Sequence, residues 1–201
     1  MRAIDLQLTM SGTIPSHGMI VSNHLSYLDI PVYSSALPCV FVSKAEVEDW
    51  PILGRYARWA GSVFVRRHDR PDAARANISV GDALHNGVPV VLFPEGTTTD
   101  GQHILRFHST MLQPAIDEAV PITPCAIHYE LDDGDPSREI AWWGDMTLIP
   151  HLINLVAKKT IRTRIAFGAP IEARGDRKQL SAVLHEAVKT LHDQMQATAS
   201  H

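Results

Sequence analysis

The chain has 201 residues, of which 45% are hydrophobic and 20% are charged, so it is long enough for one sizeable hydrophobic core and short for two. Its formal net charge of −4 argues against sequence-independent binding of nucleic acid. Its 2 cysteines are too few for a disulfide framework or a cysteine metal site, which favours a cytoplasmic setting.

Short apolar segments alternate with helical ones along the first half of the chain. Residues 1–17 are expected to form an N-terminal segment with a weak amphipathic pattern, ahead of a domain that spans residues 18–201. Buried strands are expected at 18–22, 39–43 and 61–66. Helices are expected from the end of the first strand to Leu37, irregularly over 45–60, and from Pro71 to about Gly87.

The second half of the chain continues this alternation. The run 88–93 is nearly all apolar and is therefore expected to be a central strand. Further strands are expected at 120–129, 138–143 and 160–167, and helices at 111–119, 148–159 and 176–196. Helices interleaved with strands in this way predict an α/β fold, a single domain with a mixed, largely parallel sheet flanked by helices.

Membrane-spanning and targeting segments are not apparent in the sequence. No apolar stretch approaches the 18 or more residues of a span, and the N-terminus lacks the features of a signal peptide. We therefore expect any membrane contact to come from the surface of the folded domain. One basic patch is interpreted as solvated surface first and as a contact for lipid headgroups second: Lys158, Lys159, Arg162 and Arg164.

A histidine and an aspartate, His24 and Asp29, follow the first predicted strand. Ser26 and Asp29 fit a capping box before an apolar run, which places Asp29 in the first helical turn and directs its carboxylate back toward His24. Such a pair can act as a general base and the residue that orients it. The spacing alone is not specific, because His128 and Asp133 share it, and a helix cap beside a surface histidine explains it as well.

Polar residues come at the ends of three predicted strands. His24 follows the first strand, Arg66 the third strand and Glu95 the fourth strand. Ligands of open α/β sheets bind outside the carboxyl ends of the strands, so these side chains are expected to share one mouth. The loop 95–101, with two glycines and three threonines, suits either an anion or an ordinary turn.

Other polar groups are less specific. The cluster of Arg66, Arg67, His68 and Arg70 suits a phosphate but also a solvated strand end. The pair His103 and His108 lacks a convincing third ligand, so no metal site is expected.

Four blocks resemble the glycerolipid acyltransferases of the lysophosphatidate acyltransferase family, in the same order and over about residues 20–170. They are Asn23-His24-Leu25-Ser26-Tyr27-Leu28-Asp29 (N-H-x-S-x-x-D in the family), Gly61-Ser62-Val63-Phe64-Val65-Arg66-Arg67 (G-x-x-F-x-x-R), Phe93-Pro94-Glu95-Gly96-Thr97 (F-P-E-G-T) and the apolar-proline block Val120-Pro121-Ile122-Thr123-Pro124. Four ordered blocks are far more specific than any one of them.

The resemblance implies an O-acyltransferase in which His24 is the catalytic base and Asp29 orients it. The acyl group would pass from acyl-CoA or acyl carrier protein to a hydroxyl of a lysophospholipid, most simply 1-acyl-glycerol-3-phosphate, without a metal or cofactor. The residues expected to bind substrate are Asn23, Ser26, Arg66, Arg67, Glu95, Gly96 and Thr97. A membrane surface is the implied partner, and the chain would lie peripherally on its cytoplasmic face.

Two departures from the family pattern concern the acceptor. Thr98 stands where many relatives have an arginine, and His108, rather than a basic residue followed by glycine, comes after Phe107. Another lysolipid, such as lyso-ornithine lipid, is therefore an alternative acceptor. A hydrolase of acyl thioesters and a non-catalytic lipid-binding module are further alternatives. The apolar residues Trp50, Ile52, Leu53, Tyr56 and Trp59 suit the core first and an acyl groove or membrane face second.

Overall fold

The computed structural model describes residues 5–45, 54–55, 58, 61–65 and 70–199. The strands are β1 (Asp5–Ser11), β2 (Met19–Ser22), β3 (Val40–Lys44), β4 (Val63–Val65), β5 (Val90–Leu92), β6 (Pro121–Glu130), β7 (Thr160–Phe167) and β8 (Ile171–Glu172). The helices are α1 (Asp29–Ala36), α2 (Arg70–His85), α3 (Gln113–Asp117), α4 (Pro136–Glu139), α5 (Leu148–Ala157) and α6 (Arg177–Ala199), with a single 3-10 turn at Thr110–Leu112.

One mixed sheet contains these strands in the order β1-β7-β6-β2-β5-β3-β4, with β8 beside β6. β2 lies in the middle and runs parallel to β5 on one side and to β6 on the other. β3 and β4 continue the parallel part, whereas β7 and β8 are antiparallel to β6. The predicted α/β fold, with a mixed and largely parallel sheet flanked by helices, is confirmed.

Each face of the sheet has its own apolar core, because successive residues of a strand point to opposite faces. Met19 and Val21 of β2 belong to a core that includes side chains of α2 and α6. Ile20, between them, belongs to a second core that includes side chains of α1 and α5. The sheet is therefore covered by helices on both sides, and its central strand is fully buried.

The prediction of a strand over 138–143 is wrong. The segment forms the short helix α4 and a turn, because Asp135 accepts the Ser137 N–H at 2.9 Å and Pro136 occupies the first helical turn. Trp142 then donates its backbone N–H to the carbonyl of Leu25 at 2.8 Å. The segment therefore packs beside the His24 corner instead of joining the sheet.

The N-terminal segment contributes a strand that the sequence pattern did not predict. β1 pairs in parallel with β7 at one edge of the sheet. Its side chains are mostly exposed, which explains why the apolar alternation of this stretch is weak. The division of the chain at residue 17 stays a prediction.

Several predicted features lie outside the described residues. Most of the helix expected over 45–60 lies outside them, and so does its tryptophan-rich cluster. Arg66 and Arg67, expected to bind substrate, are also outside them. Their roles stay predictions.

Candidate active site

His24 lies two residues beyond the end of β2, at the carboxyl edge of the parallel strands. The preceding residue fixes this corner to β6. The Asn23 side chain donates to the Ile127 carbonyl at 3.0 Å and accepts the Ile127 N–H at 2.8 Å. Asn23 is fully buried, so its amide fixes the backbone just before His24. These two hydrogen bonds give Asn23 a positioning role, and the substrate contact predicted for it stays a prediction.

The Asp29 carboxylate binds the whole turn that separates it from His24. Its Oδ2 accepts the N–H groups of Leu25 at 2.8 Å and Ser26 at 3.1 Å, and lies 2.7 Å from His24 Nδ1. Only half of the predicted capping box forms, since the Asp29 N–H donates to the Ser26 backbone carbonyl and not to its hydroxyl. The geometry nevertheless directs the carboxylate back at the histidine, as the sequence predicted.

This arrangement determines which nitrogen of His24 is free. A carboxylate oxygen that already accepts two N–H groups is an acceptor toward the imidazole as well. In the neutral imidazole, Nδ1 therefore bears the hydrogen and donates a hydrogen bond to Asp29, and Nε2 keeps its lone pair. The His24 side chain is 20% exposed, whereas Asp29 is completely buried. A partly accessible base is thus joined to a buried carboxylate.

A third member of this network comes from β6. The Tyr129 hydroxyl donates to Asp29 Oδ1 at 2.7 Å. Burial, together with the nearby Asp29 charge, raises the pKa of Tyr129 well above its usual value, so the hydroxyl remains a donor. Sequence reasoning missed Tyr129, because nothing local distinguishes it from other apolar positions of the strand.

The imidazole is also held by stacking. The rings of His24 and Phe93 lie 4.1 Å apart between centroids and are nearly parallel, at 13°. Phe93 directly follows β5, the parallel neighbour of β2. The F-P-E-G-T block thus brings an aromatic platform to the histidine of the first block.

Glu95 joins the two strand ends. Its Oε1 accepts the backbone N–H of His24 at 2.9 Å, and its Oε2 accepts that of Leu105 at 2.7 Å. Glu95 is 4% exposed, and burial raises its pKa to about 7, although the two N–H donors act in the opposite direction. Both carboxylate oxygens therefore accept a backbone N–H, and Glu95 holds the His24 backbone in position. The substrate contact predicted for Glu95 stays a prediction.

The remaining loop residues differ in their availability. Gly96, at φ 74°, occupies the left-handed region and donates its N–H to the Phe93 carbonyl at 3.2 Å, which closes the turn. Gly101 donates its N–H to the Thr99 hydroxyl at 3.2 Å. Both glycine N–H groups are thus occupied, so these two do not form the anion cradle considered above. Thr97 is exposed, and the substrate contacts predicted for Gly96 and Thr97 stay predictions.

Ser26 has an unsatisfied hydroxyl beside this network. The residue is fully buried, and its Oγ has no hydrogen-bond partner among the described residues. A buried hydroxyl without a partner is uncommon in folded proteins, since it loses its hydrogen bonds to water without replacement. Ser26 is therefore the predicted site residue whose surroundings most need an additional polar partner.

Two further observations concern the described residues alone. They contain no cluster of three histidine, cysteine or carboxylate side chains that could hold a metal ion. Within the same ranges, every helix is too short or too polar to cross a bilayer.

Comparisons with known proteins indicate the family of this chain. The family model described as Acyltransferase matches residues 7–128. The lyso-ornithine lipid O-acyltransferase of Pseudomonas aeruginosa is 35% identical over 189 residues, which cover 93% of this chain and 72% of that protein. The 1-acyl-sn-glycerol-3-phosphate acyltransferase of Neisseria meningitidis is 30% identical over 94% of this chain and 76% of its own length.

A solved structure has the same architecture. The crystal structure of the 1-acyl-sn-glycerophosphate acyltransferase PlsC from Thermotoga maritima superposes with a TM-score of 0.70 and 23% identity, over 96% of this chain and 73% of that one. The family model and the two relatives agree with the family resemblance of the four sequence blocks, and the solved structure agrees with the fold. The chain belongs to the acyltransferase family and is an acyltransferase.

Proposed function

We propose that this protein transfers a fatty acyl group from a thioester to a hydroxyl of a lysolipid, with His24 as the general base. The single observation that supports this most is the Nδ1 contact of His24 with Asp29 at 2.7 Å, which leaves Nε2 free in a partly exposed ring. An accessible neutral imidazole of this kind can accept the proton of an alcohol.

The reaction needs no covalent intermediate on the enzyme. His24 Nε2 takes the proton of the acceptor hydroxyl while the hydroxyl oxygen attacks the thioester carbonyl. The new C–O bond forms, the C–S bond breaks, and the imidazolium returns the proton to the departing thiolate. Asp29 stabilises the imidazolium, and general-base help of this kind is worth about two to four powers of ten in rate.

The acceptor we favour is lyso-ornithine lipid. The P. aeruginosa relative of that name is 35% identical, and the one from Rhizobium meliloti is 36% identical. Thr98 and His108 also stand where many relatives have an arginine and another basic residue. A headgroup without phosphate has less need of those charges.

The second candidate acceptor is 1-acyl-glycerol-3-phosphate. The N. meningitidis relative bears that name, and the sequence keeps the block that ends in Arg67. An arginine there suits a phosphate through paired hydrogen bonds.

The donor and the location are part of the proposal. Acyl-CoA and acyl carrier protein both present the acyl group as a thioester, so either is compatible with the chemistry at His24. The lysolipid is an amphiphile that resides in membranes, which supports a peripheral position on the cytoplasmic face, where both donors occur. The formal net charge of −4 gives no support to a nucleic-acid partner.

One assay separates this proposal from its alternatives. Purified protein is incubated with labelled acyl-CoA or acyl carrier protein and a panel of lysolipids that includes both candidates. We expect a labelled diacyl product and thiol release that depends on the acceptor. Thiol release at the same rate without lysolipid would indicate a hydrolase, and neither product nor thiol from folded protein would indicate a binding module.

A further inference from the structure

Helix α5 has an exposed apolar side. Ile149, Ile153 and Val156 are 61%, 63% and 52% exposed, and their spacing of four and three residues places them on one side of the helix. Trp143, just ahead of α5, is 38% exposed. We call these four residues the α5 face. They are four of the nine exposed large apolar side chains among the described residues, and the other five are spread over several segments.

The opposite side of α5 is buried in the protein. His151 and Leu155 are 7% and 3% exposed. The ten residues of the helix include no charged side chain. A helix side that consists of large aliphatic residues is normally covered, because water does not solvate such a surface favourably.

We propose that the α5 face is the surface with which this chain docks onto a lipid membrane; this rests on the proposed function, which supplies a substrate dissolved in membranes. The charges at the end of the helix fit this occupant. Lys158 and Lys159 follow α5 directly. Lys158 is paired with Glu139, whereas Lys159 is exposed and has no ion-pair partner among the described residues. Cations that flank an apolar helix are attracted to anionic lipid headgroups.

The tryptophan fits an interfacial position as well. Its indole N–H donates to the Ser137 carbonyl at 2.9 Å, while part of the ring remains exposed. Rings with one polar and one apolar side are favoured at the boundary between headgroups and acyl chains. Asp145 is the exposed carboxylate closest in sequence, and it lies in the turn between Trp143 and α5, outside the helix that carries the three aliphatic residues.

The α5 face is connected to the active site through the buried side of the helix. The Tyr27 hydroxyl lies 3.0 Å from His151 Nδ1, and the two rings meet edge to face at 5.6 Å between centroids. Tyr27 lies in the turn between His24 and Asp29. Docking through α5 would therefore place the catalytic turn about one helix thickness from the membrane, within reach of a lysolipid in the leaflet that the protein contacts.

The test is co-sedimentation of the full chain with vesicles of phosphatidylethanolamine and phosphatidylglycerol. We expect Ile153→Glu to lower the partition coefficient about tenfold or more, because it inserts a charge into the apolar side. Two matched controls, Ile78→Glu on α2 and Val183→Glu on α6, replace side chains that are 65% and 54% exposed. They should bind vesicles like the wild type. Lys159→Gln should weaken binding only when phosphatidylglycerol is present.

The outcomes distinguish this proposal from the proposed function. His24→Ala should lose transfer but keep vesicle binding, whereas Ile153→Glu should keep transfer to a lysolipid in detergent micelles. Thermal melts confirm that each variant is folded. Equal binding by Ile153→Glu and wild type, or equal loss in the controls, would overturn the docking surface. So would light scattering that shows a wild-type dimer and an Ile153→Glu monomer, because a second copy would then cover the face.

Discussion

Tyr129 donates its hydroxyl to Asp29 Oδ1 at 2.7 Å, across 100 residues of chain. This contact fixes the Asp29 carboxylate through the oxygen that does not face His24. The other oxygen of Asp29 is shared by His24 Nδ1 and the N–H groups of Leu25 and Ser26. A carboxylate with a full set of donors has one orientation, and the imidazole it holds has one tautomer.

Tyr129→Phe removes that donor without changing the shape of the ring. We expect kcat to fall about tenfold and the free energy of unfolding to fall by about 1 kcal/mol, since Asp29 loses one charge-assisted hydrogen bond. Steady-state kinetics and urea denaturation measure the two effects.

Tyr33→Phe is the matched control for that variant. Tyr33 is similarly buried, but its hydroxyl hydrogen-bonds with Ser22 Oγ at 2.7 Å and with Cys125 Sγ at 3.1 Å, not with Asp29. Its stability should change by a similar amount while kcat stays close to the wild-type value. Equal losses of kcat in the two variants would show that Tyr129 acts through general packing alone.

Asp29→Asn should be more damaging than either tyrosine variant. The amide can still accept the N–H groups of the turn, but its negative charge is gone, and the Tyr129 hydroxyl then faces an NH2 group. We expect kcat to fall at least a hundredfold and the free energy of unfolding to fall by about 1–3 kcal/mol. A pH–rate profile of the variant, compared with the wild type, checks the first effect. Wild-type kcat in a folded variant would exclude Asp29 from the mechanism.

Glu95→Gln should change how stability depends on pH. Burial raises the pKa of Glu95 from 4.5 to about 7, so the folded protein retains a proton that the unfolded chain releases between those values. The free energy of unfolding should therefore fall as pH rises through this window, by up to about 3 kcal/mol, and stay lower above it. Glutamine does not titrate, and this part of the pH dependence should disappear.

Urea denaturation of both proteins at pH 5 and pH 8 measures that difference. If the free energy of unfolding differs between wild type and variant by the same amount at both pH values, the raised pKa of Glu95 is contradicted. The same variant should also lose about one to two powers of ten in kcat, because its NH2 group opposes the N–H of either His24 or Leu105 and displaces the histidine backbone.

Ser26→Ala tests the unsatisfied hydroxyl. Stability should be unchanged or rise by up to about 1 kcal/mol, since the removed group has no partner among the described residues. If the acceptor supplies the missing partner, the KM for the lysolipid should rise severalfold. Ser34→Ala removes a hydroxyl of the same kind from α1 and should leave KM unchanged. An unchanged KM for Ser26→Ala would exclude that residue from acceptor binding.

The sequence predicted the parts of the site that depend on neighbours along the chain. His24 and Asp29 belong to one turn, and the local capping pattern was enough to direct one side chain at the other. The carboxyl ends of parallel strands lie at one edge of a sheet, so the sequence also predicted that the F-P-E-G-T block lies near His24. Phe93 of that block does stack on His24.

The parts that failed depend on contacts distant in sequence. Tyr129 reaches Asp29 only because β6 lies beside β2, a pairing that no local pattern specifies. The segment 138–143 ends in four apolar residues, and Ile140 and Ala141 are indeed buried. They are buried under the catalytic corner rather than in the sheet, because the Asp135–Pro136 cap starts a helix first.

The central claim is that His24, held by Asp29, is the base for acyl transfer to a lysolipid hydroxyl. The most direct test measures labelled diacyl product from acyl-CoA or acyl carrier protein with lyso-ornithine lipid and with 1-acyl-glycerol-3-phosphate, for wild type and His24→Ala. If His24 is the general base, we expect wild-type protein to form product with at least one acceptor. We expect kcat of the variant to be lower by about two to four powers of ten. Product formation by a folded His24→Ala protein at the wild-type rate would contradict it.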